Sequence, residues 1–343
     1  MRPTEERLKE LSLPRLKTRE EMLLILQKEE YGFLPAAPDS VSFSVQSNTV
    51  SNFCAGKAVL SKVTAVCKTG DKEFSFPFYA TLPTDGGKHP FFIHINFRDL
   101  VPDRYMPTEE LVDNGFAVFS FCYNDVTRDN GDLTSGLAGV LFENGERKDD
   151  DPGKIAMWAW AAHRVMDYAE TLPDLLDLEH SVVCGHSRLG KTALFAAATD
   201  ERFAFAYSND SGCSGAAISR GKQGESVGRI GDVFPYWFCK NYLKYKNRED
   251  EMPFDQHYLL ASIAPRRVCV GSATEDLWSD PQAEQLCCEA ASPAFEKGFI
   301  SDGKFAETGK EFFKGDVGYH LRGGLHYFSR EDWLKLIKFV RMH

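Results

Sequence analysis

The sequence contains no long apolar run. No segment approaches the roughly 18 consecutive apolar residues that a membrane-spanning helix needs. The first residues, MRPTEERLKELSLPRLKTREE, are charged throughout and lack the apolar core of a signal peptide. We therefore expect no membrane partner. We expect a cytoplasmic protein, or a secreted one whose leader peptide has been removed.

The nine cysteines are odd in number and include no CxxC pair. A disulfide framework uses cysteines in pairs, and short CxxC spacings are typical of zinc ligands. Several cysteines, such as Cys184 and Cys269, lie inside apolar strand-like runs. This pattern indicates free, mostly buried thiols in a reducing compartment, which favours the cytoplasm.

Positive charge is scarce relative to negative charge. The sequence has 40 Lys and Arg against 50 Asp and Glu, a formal net charge of −10. This balance argues against nucleic acid or an anionic membrane surface as the main partner. It leaves the oligomeric state open.

The pattern of apolar residues changes near residue 88. Before it, Thr18 and Glu21 have capping-box spacing and predict a helix over 18–31. After it, short apolar runs alternate with helical stretches, which is typical of βαβ units around a parallel sheet. The predicted strands are 40–50, 56–68 and 72–82 in the first part, and 90–95, 115–121, 180–184, 203–208, 267–272 and 317–321 in the second. The later predicted helices are 107–114, 154–171, 189–199, 281–297 and 329–341.

The length of 343 residues allows two domains at about 150 residues each, but α/β folds often run longer as one. Two long irregular segments, 123–152 and 213–255, are expected to be insertions, and the length of the polar, glycine-rich first one is typical of a functional loop. We therefore predict a single catalytic domain over 1–343. In it, 1–86 form an N-terminal helix and β extension, and 87–343 form a three-layer α/β core with a mostly parallel central sheet.

A serine follows one of the predicted strands directly. Residues 179–193 read EHSVVCGHSRLGKTA, an apolar strand that runs into Ser187 and then into a helix. Such an elbow exposes the hydroxyl at the carboxyl edge of the sheet, and the Arg188 N–H at the helix start can face an oxyanion. The common elbow is G-x-S-x-G, whereas here the second glycine comes one place late, at Gly190. A capped strand–helix turn without catalysis is the alternative.

One histidine has the position that a catalytic triad requires. On an α/β-hydrolase fold the triad order is Ser, Asp or Glu, then His after the last strand. His326 lies in GGLHYFSRED, between the last predicted strand and the final helix. We predict this fold, with Ser187 as nucleophile and His326 as general base. His320 lies within the preceding strand and is expected to be a core residue.

Residues 158–202 resemble the glucuronoyl esterases, carbohydrate esterase family 15. The family hallmark G-C-S-R-x-G-K stands here as GHSRLGK, with His186 in place of the cysteine. The similarity continues through SNDSGCSGAA (208–217), FPYWF (234–238), TEDLWSDP (274–281) and GLHYFSR (324–330), and covers about 90–343. Members cleave esters between lignin alcohols and the 4-O-methyl-glucuronate groups of xylan without a metal or organic cofactor. The resemblance implies a carbohydrate ester as substrate and no cofactor.

The resemblance also assigns roles around the serine. Arg188 would stabilise the oxyanion, Lys191 would bond sugar hydroxyls, and Trp278 would flank the sugar ring. The family's sugar-binding Gln and Glu fall at Glu225 and Arg229. Arg229 thus stands where the family has a glutamate, which puts specificity for glucuronate in question. Many acetyl xylan esterases share the same elbow, so an acetyl xylan esterase is the alternative enzyme. A catalytically inactive carbohydrate-binding relative is the alternative of another class.

The triad acid has more than one candidate. Family members place it after the sixth strand or after the seventh, which here means Asp210 or else Glu275 or Asp276. By analogy with other hydrolases we favour Asp276, which follows the apolar run 268–273 closely enough to reach the His326 loop. Glu275 would project differently from an extended segment.

The acidic run from Asn124 to Asp132 raises the possibility of calcium. It lacks EF-hand spacing and the closing glutamate, so a solvated loop near the substrate cleft is favoured and no metal site is predicted.

Overall fold

The computed structural model describes residues 2–46 and 49–343. Eleven strands form one sheet in the order β1-β3-β4-β6-β5-β7-β8-β9-β11-β10, with β2 paired to β3. The strands are β1 Ser40–Val45, β2 Val50–Phe53, β3 Ala58–Thr69, β4 Lys72–Pro83, β5 His89–Asn96, β6 Ala117–Cys122, β7 Leu176–His186, β8 Phe205–Asn209, β9 Arg267–Ala273, β10 Glu311–Phe312 and β11 Val317–Arg322.

The central part of the sheet is parallel from β6 through β5, β7, β8 and β9 to β11. All six strands predicted after residue 88 are present there. Because parallel strands end at the same edge, the loops after β7, β8, β9 and β11 meet, and these loops carry the candidate triad residues.

Helices cover both faces of the sheet. The α-helices of the described residues are α1 Pro3–Leu11, α2 Arg19–Leu26, α3 Thr108–Asp113, α4 Tyr123–Val126, α5 Gly136–Leu141, α6 Lys154–Ala169, α7 Arg188–Thr199, α8 Val227–Val233, α9 His257–Ala261, α10 Pro281–Ala291 and α11 Arg330–Arg341. Successive strand residues face different layers: Val183 packs with the core that contains α6 and α7, while Val182 and Cys184 pack with α11. The predicted three-layer sandwich is therefore present.

The first strands extend the same sheet in antiparallel fashion. β1, β3 and β4 pair antiparallel, and β4 joins β6 with Tyr79 opposite Ser120. Alternate residues of β4 turn inward, so that Phe74 meets Trp160 and Phe78 meets Tyr168 at ring-centroid distances of 6.3 and 5.2 Å. The N-terminal extension thus packs against the same helix, α6, as the central strands. Residues 47 and 48 of the predicted run 40–50 lie outside the described residues.

Two predicted helices differ from their sequence pattern, one in its type of helical turn and one in its length. The helix predicted over 18–31 has the expected Thr18 cap but changes at Gln27 into one π-helical turn, Gln27–Tyr31. The helix predicted over 281–297 ends at Ala291, and Pro293 lies in the 3₁₀ turn that follows. Proline has no N–H to continue the helical ladder. By contrast, Ser329 and Asp332 form a complete capping box at the start of α11.

The two long insertions contain short helices. Segment 123–152 carries α4 and α5, and segment 213–255 carries α8 together with two 3₁₀ turns, Lys240–Tyr245 and Glu249–Glu251. These elements, along with α1, β2 and β10, are not predicted from the sequence because they are short or highly charged. Among the described helices, none combines the length and the apolarity needed to cross a membrane.

Candidate active site

Ser187 occupies a strained turn between β7 and α7. Its backbone has φ 57° and ψ −127°, a conformation that non-glycine residues rarely adopt. The turn is held by its N–H, which donates to the Asn209 carbonyl at 2.8 Å, and by its carbonyl, which accepts from the Gly190 N–H at 2.9 Å. This is the geometry of a nucleophile elbow, in which strain presents the hydroxyl above the sheet.

Neither glycine of the elbow has room for a side chain. A Cβ on Gly185 would lie 2.2 Å from the Leu189 carbonyl oxygen, inside the first turn of α7. A Cβ on Gly190 would lie 2.8 Å from Ser208 Oγ and 3.0 Å from Ser211 Cβ. The late glycine therefore lets α7 pack against the loop that follows β8.

His326 lies in the loop after β11 and is bonded to Asp276. Its Nδ1 is 2.6 Å from Asp276 Oδ2, and the imidazole side chain is 39% exposed while that carboxylate is 4% exposed. Burial alone would raise the pKa of Asp276, but hydrogen bonds from His326 and Ser279 and the His326 charge lower it below its usual value. Asp276 is thus held as a carboxylate beside the imidazole, which suits a group that orients a base and stabilises an imidazolium.

Asp210, the other candidate acid, is close but differently engaged. Its Oδ2 accepts from Arg322 Nη2 at 3.2 Å, and its Oδ1 is buried without a hydrogen-bond partner among the described residues. Burial, then repulsion from Glu284 and Asp332, raises the pKa of Asp210 well above its usual value, against the opposing effect of Arg322. Asp210 is therefore the poorer counter-ion for an imidazolium. The third candidate, Glu275, is exposed and contributes its backbone N–H, which donates to the Gly324 carbonyl at 3.0 Å.

A buried arginine holds the His326 loop in place. Arg322 Nε donates to Asp332 at 2.7 Å, Nη1 to the Gly323 carbonyl at 2.9 Å, and Nη2 to the Leu325 carbonyl at 3.0 Å and to the Tyr327 carbonyl. The loop that carries the candidate base is thus held through three of its carbonyls by one buried guanidinium.

A cavity of about 340 Å³ opens over these groups. It is lined by Ser187, Arg188, Lys191, Asp210, Ser211, Glu225, Arg229, Val233, Phe234, Trp237, Trp278, Ser279 and His326. Ser187, His326 and the four residues predicted to contact the sugar therefore share one cavity, and Asp276 lies behind His326. Trp278 is 51% exposed, and Arg229 is exposed on the first turn of α8.

Lys191 makes more hydrogen bonds within the protein than a sugar-binding role, as the resemblance implies it, would leave room for. Its ammonium donates to the carbonyls of Ser211 and Cys213, both at 2.6 Å, and pairs with Glu225 at 3.2 Å. An ammonium has three donors, so all are used within the protein. In this arrangement Lys191 fixes Glu225, and Glu225 is the member of the pair with free acceptor capacity towards the cavity.

Arg188 lies between a carboxylate and three aromatic rings. Its Nη1 forms an ion pair with Asp129, and its guanidinium carbon is 4.7 Å from the Trp237 ring centroid. Phe234 and Phe97 lie slightly farther, at 5.5 and 5.7 Å. Neither the FPYWF stretch nor the acidic run carries a sequence signal that links it to Arg188.

His186, which replaces the hallmark cysteine, packs against the candidate base. The two imidazole centroids are 4.4 Å apart, and His186 Nδ1 is 2.7 Å from Asn209 Oδ1. Burial, and then the neighbouring His326, lowers the pKa of His186 to about 3. His186 is therefore a neutral ring in the wall of the site. His320 is buried and bonded to the Tyr207 hydroxyl at 2.9 Å, as a core residue.

The acidic run does not gather its carboxylates around a common point. Asp132 accepts from Thr134 and Ser135, while the carbonyls of Arg128 and Asp132 accept from the buried Lys154 ammonium at 2.5 and 2.6 Å. Within residues 2–46 and 49–343, three side chains with ligand-type atoms near one another occur at Asp210, Asp276 and His326. That trio belongs to the candidate hydrolytic site.

Comparison with known proteins gives a consistent result. A family model described as glucuronyl esterase, fungi, matches residues 65–297. Carbohydrate esterase MZ0003, from an unknown prokaryotic organism, is 40% identical over 240 residues, which are 68% of this chain and 55% of that protein. The 4-O-methyl-glucuronoyl methylesterase 1 of Wolfiporia cocos is 28% identical over 294 residues, or 83% of this chain and 67% of that protein. The chain thus spans between about half and two thirds of the length of these curated relatives.

Solved structures agree with the fold. The glucuronoyl esterase from Solibacter usitatus superposes with a TM-score of 0.86 at 33% identity, over 95% of this chain and 91% of that one. A promiscuous CE15 esterase from a marine bacterial metagenome gives a TM-score of 0.83 at 30% identity, with coverage of 95% and 91%. The predicted α/β-hydrolase fold is confirmed.

Replacement of Ser187 by alanine should abolish ester hydrolysis and leave the fold intact. The change removes one oxygen at a cavity wall, and loss of a triad nucleophile costs on the order of 10⁴-fold or more in kcat. Initial rates and the thermal midpoint would be measured beside Ser44→Ala, at an exposed serine of β1 that serves as a matched control. Activity within tenfold of wild type would contradict the assignment of Ser187.

Replacement of His326 by alanine should cost about as much, because the members of a triad act as a unit. His180→Ala, in a half-exposed histidine away from the cavity, is the control and should keep full activity. An active His326→Ala enzyme combined with an inactive His186→Ala enzyme would show that the base is the neighbouring ring.

Asp276→Asn should lower kcat by roughly 10³–10⁴-fold, because the amide favours the wrong tautomer of His326 and stabilises the imidazolium poorly. Asp210→Asn, the same chemical change on the adjacent acid, should lower kcat by less than about tenfold, since it leaves the His326–Asp276 bond in place. The two variants would be compared by steady-state kinetics. The reverse order of effects would assign the role to Asp210.

Proposed function

The chain belongs to the glucuronoyl esterases, carbohydrate esterase family 15, and we propose that it is a serine esterase that hydrolyses a glucuronoyl ester of glucuronoxylan. The observation that carries the proposal is the His326–Asp276 bond of 2.6 Å at a cavity lined by Ser187 on its strained elbow. The relatives' names point to the same ester: those proteins are glucuronoyl esterases and 4-O-methyl-glucuronoyl methylesterases.

The reaction has two steps. His326 takes the proton of the Ser187 hydroxyl as its oxygen attacks the ester carbonyl carbon, and Asp276 orients the resulting imidazolium. The tetrahedral intermediate then collapses: the bond to the alcohol oxygen breaks, and the alcohol leaves with the proton from His326. Water, activated by the same histidine, attacks the acyl-enzyme and releases the uronic acid with the Ser187 hydroxyl restored.

Charge on the carbonyl oxygen needs donors during both steps. We assign this role to Arg188, through its backbone N–H at the start of α7 and through its guanidinium, which faces the cavity. A removed oxyanion donor typically costs about 10²–10³ in kcat, so this term is comparable with general base catalysis.

The sugar is assigned to other residues of the cavity lining, Trp278, Glu225 and Arg229. Trp278 offers an exposed ring face for the pyranose, and Glu225, held by Lys191, offers acceptors for hydroxyl groups. Arg229 brings a cation to the position where the family has an acid. This substitution keeps deacetylation of acetyl xylan as a second candidate activity, since an acetyl ester needs no recognition of a uronate.

We also propose a cytoplasmic location, with secretion after loss of a leader as the alternative. The nine cysteines are all free and buried, as expected for thiols that fold in a reducing compartment. Fractionation of the producing cells would test this location.

The substrate is tested by assaying benzyl glucuronate beside acetylated xylo-oligosaccharide, with wild type and Ser187→Ala. We expect Ser187-dependent hydrolysis of both, with kcat/KM at least about tenfold higher for the uronate ester, because the assigned contacts to Glu225 and Trp278 hold the sugar ring that itself carries the uronoyl carbonyl. A preference for the acetylated oligosaccharide would establish the deacetylase instead. No turnover of either, with no burst of phenol from an aryl acetate, would identify an inactive carbohydrate-binding relative.

A further inference from the structure

The insertion after β6 places a carboxylate against the arginine assigned to the oxyanion. Asp129 comes 59 residues before Arg188 in the chain, yet its Oδ2 forms an ion pair with Arg188 Nη1. The two side chains are 10% and 26% exposed, respectively. The attraction within an ion pair this little exposed is screened by dissolved salt much less than that of a pair on an open surface.

Asp129 is itself fixed on several sides. Trp237 Nε1 donates to its Oδ1 at 2.6 Å, and the Tyr123 hydroxyl donates to its Oδ2 at 3.2 Å. Its backbone N–H donates to Asn124 Oδ1 at 2.8 Å, and its carbonyl accepts from the Tyr236 hydroxyl at 3.2 Å. Both carboxylate oxygens are thus occupied, so the carboxylate has one orientation in which to meet the guanidinium.

The loop around Asp129 has its own anchor. Lys154, fully buried at the start of α6, donates to the carbonyls of residues 128 and 132 on either side of the aspartate. A buried ammonium that loses these acceptors would carry a large desolvation cost. The position of Asp129 is therefore tied to the helix packed on the central sheet.

One edge of the Arg188 guanidinium is therefore occupied by an ion pair, and one face is covered by an aromatic ring. Asp129 binds the Nη1 edge, and the Trp237 ring lies 4.7 Å from the guanidinium carbon. Arg188 Nε remains buried without a hydrogen-bond partner among the described residues. Because Nε is buried, the donors that remain for the cavity are the other Nη N–H groups, on a guanidinium held in one orientation.

We propose that Asp129 is a positioning residue of the esterase, which holds Arg188 so that its remaining N–H groups face the oxyanion. The inference rests on the proposed serine-esterase mechanism. Donors that are already oriented stabilise developing charge without reorganisation in the transition state. The carboxylate also offsets part of the positive charge of Arg188. If Asp129 acts by positioning, neutralising it should lower kcat, whereas if its charge weakens the oxyanion donor, neutralising it should raise kcat.

The test is a double-mutant cycle of Asp129→Asn and Arg188→Ala on 4-nitrophenyl acetate and on benzyl glucuronate. Asparagine keeps an acceptor for Trp237 and removes the charge. We expect Asp129→Asn to lower kcat about ten- to hundredfold with little change in KM, because the affected interaction forms in the transition state. In the Arg188→Ala background the same change should lower kcat less than about threefold.

Asp125→Asn, the same chemical change at an exposed aspartate in the same insertion, is the control and should keep wild-type kcat. Equal losses from Asp129→Asn in both backgrounds would reduce Asp129 to a structural role and overturn the proposal. A gain in kcat would do the same, because it would mean that the charge of Asp129 opposes catalysis. If thermal melting shows that Asp129→Asn is unfolded, the cycle is repeated with Asp129→Glu, which keeps the charge but moves the carboxylate and should therefore also lower kcat in the Arg188 background and not in the Arg188→Ala background.

The aryl acetate separates this inference from the assignment of the sugar. It needs the nucleophile and the oxyanion donors but none of the sugar contacts. Coupling on the acetate without hydrolysis of benzyl glucuronate would overturn the uronate assignment and support the role of Asp129. Additive losses on the acetate, with normal uronate hydrolysis in wild type, would overturn the role of Asp129 alone.

Discussion

The Arg322 guanidinium, 1% exposed at the end of β11, is the constraint on which the site geometry depends. It contacts Asp210 and Asp332 and three carbonyls of the loop 323–327. A cation buried this deeply is tolerated only when its donors are satisfied, and breaking such a set typically costs about 3–5 kcal/mol. The same contacts therefore stabilise the end of the sheet, the start of α11 through Asp332, and the loop that carries His326.

The arginine also separates the two acids near the histidine. Asp210 follows β8 and faces Arg322, whereas Asp276 follows β9 and faces His326. Their environments move the two pKa values in opposite directions: burial and then neighbouring acids raise the pKa of Asp210, whereas hydrogen bonds, first of all from His326, outweigh burial and lower the pKa of Asp276. A pair of carboxylates with divergent protonation can divide its tasks, one as an ion and one as a structural group.

Much of the site could be predicted because its signals are local. The strand, the glycines and the helix around Ser187 lie within fifteen residues, and the place of His326 follows from chain order on a parallel sheet. The preference for Asp276 over Asp210 came from position alone, whereas in the structure the two differ chiefly in their partners. The catalytic roles themselves stay predictions until the variants are measured.

The rest of the site could not be predicted because it depends on distant contacts. Asp129 and Trp237 meet Arg188 across 59 and 49 residues of sequence, and neither lies in a segment with regular periodicity. The hydrogen bonds from Lys191 to two backbone carbonyls likewise cannot be predicted from the sequence. For the fold, apolar patterns predicted the buried strands well, while the charged α1 and the π-helical turn at Gln27–Tyr31 carry no comparable pattern.

The Lys154 ammonium sits where the carbonyls of the acidic insertion converge, the place that a dissolved calcium ion takes in many acidic loops. A cation built into the chain is present at unit stoichiometry from the moment of synthesis. It cannot be diluted away or extracted by a chelator. The order of this loop is therefore tied to the packing of α6, which carries its cation into place.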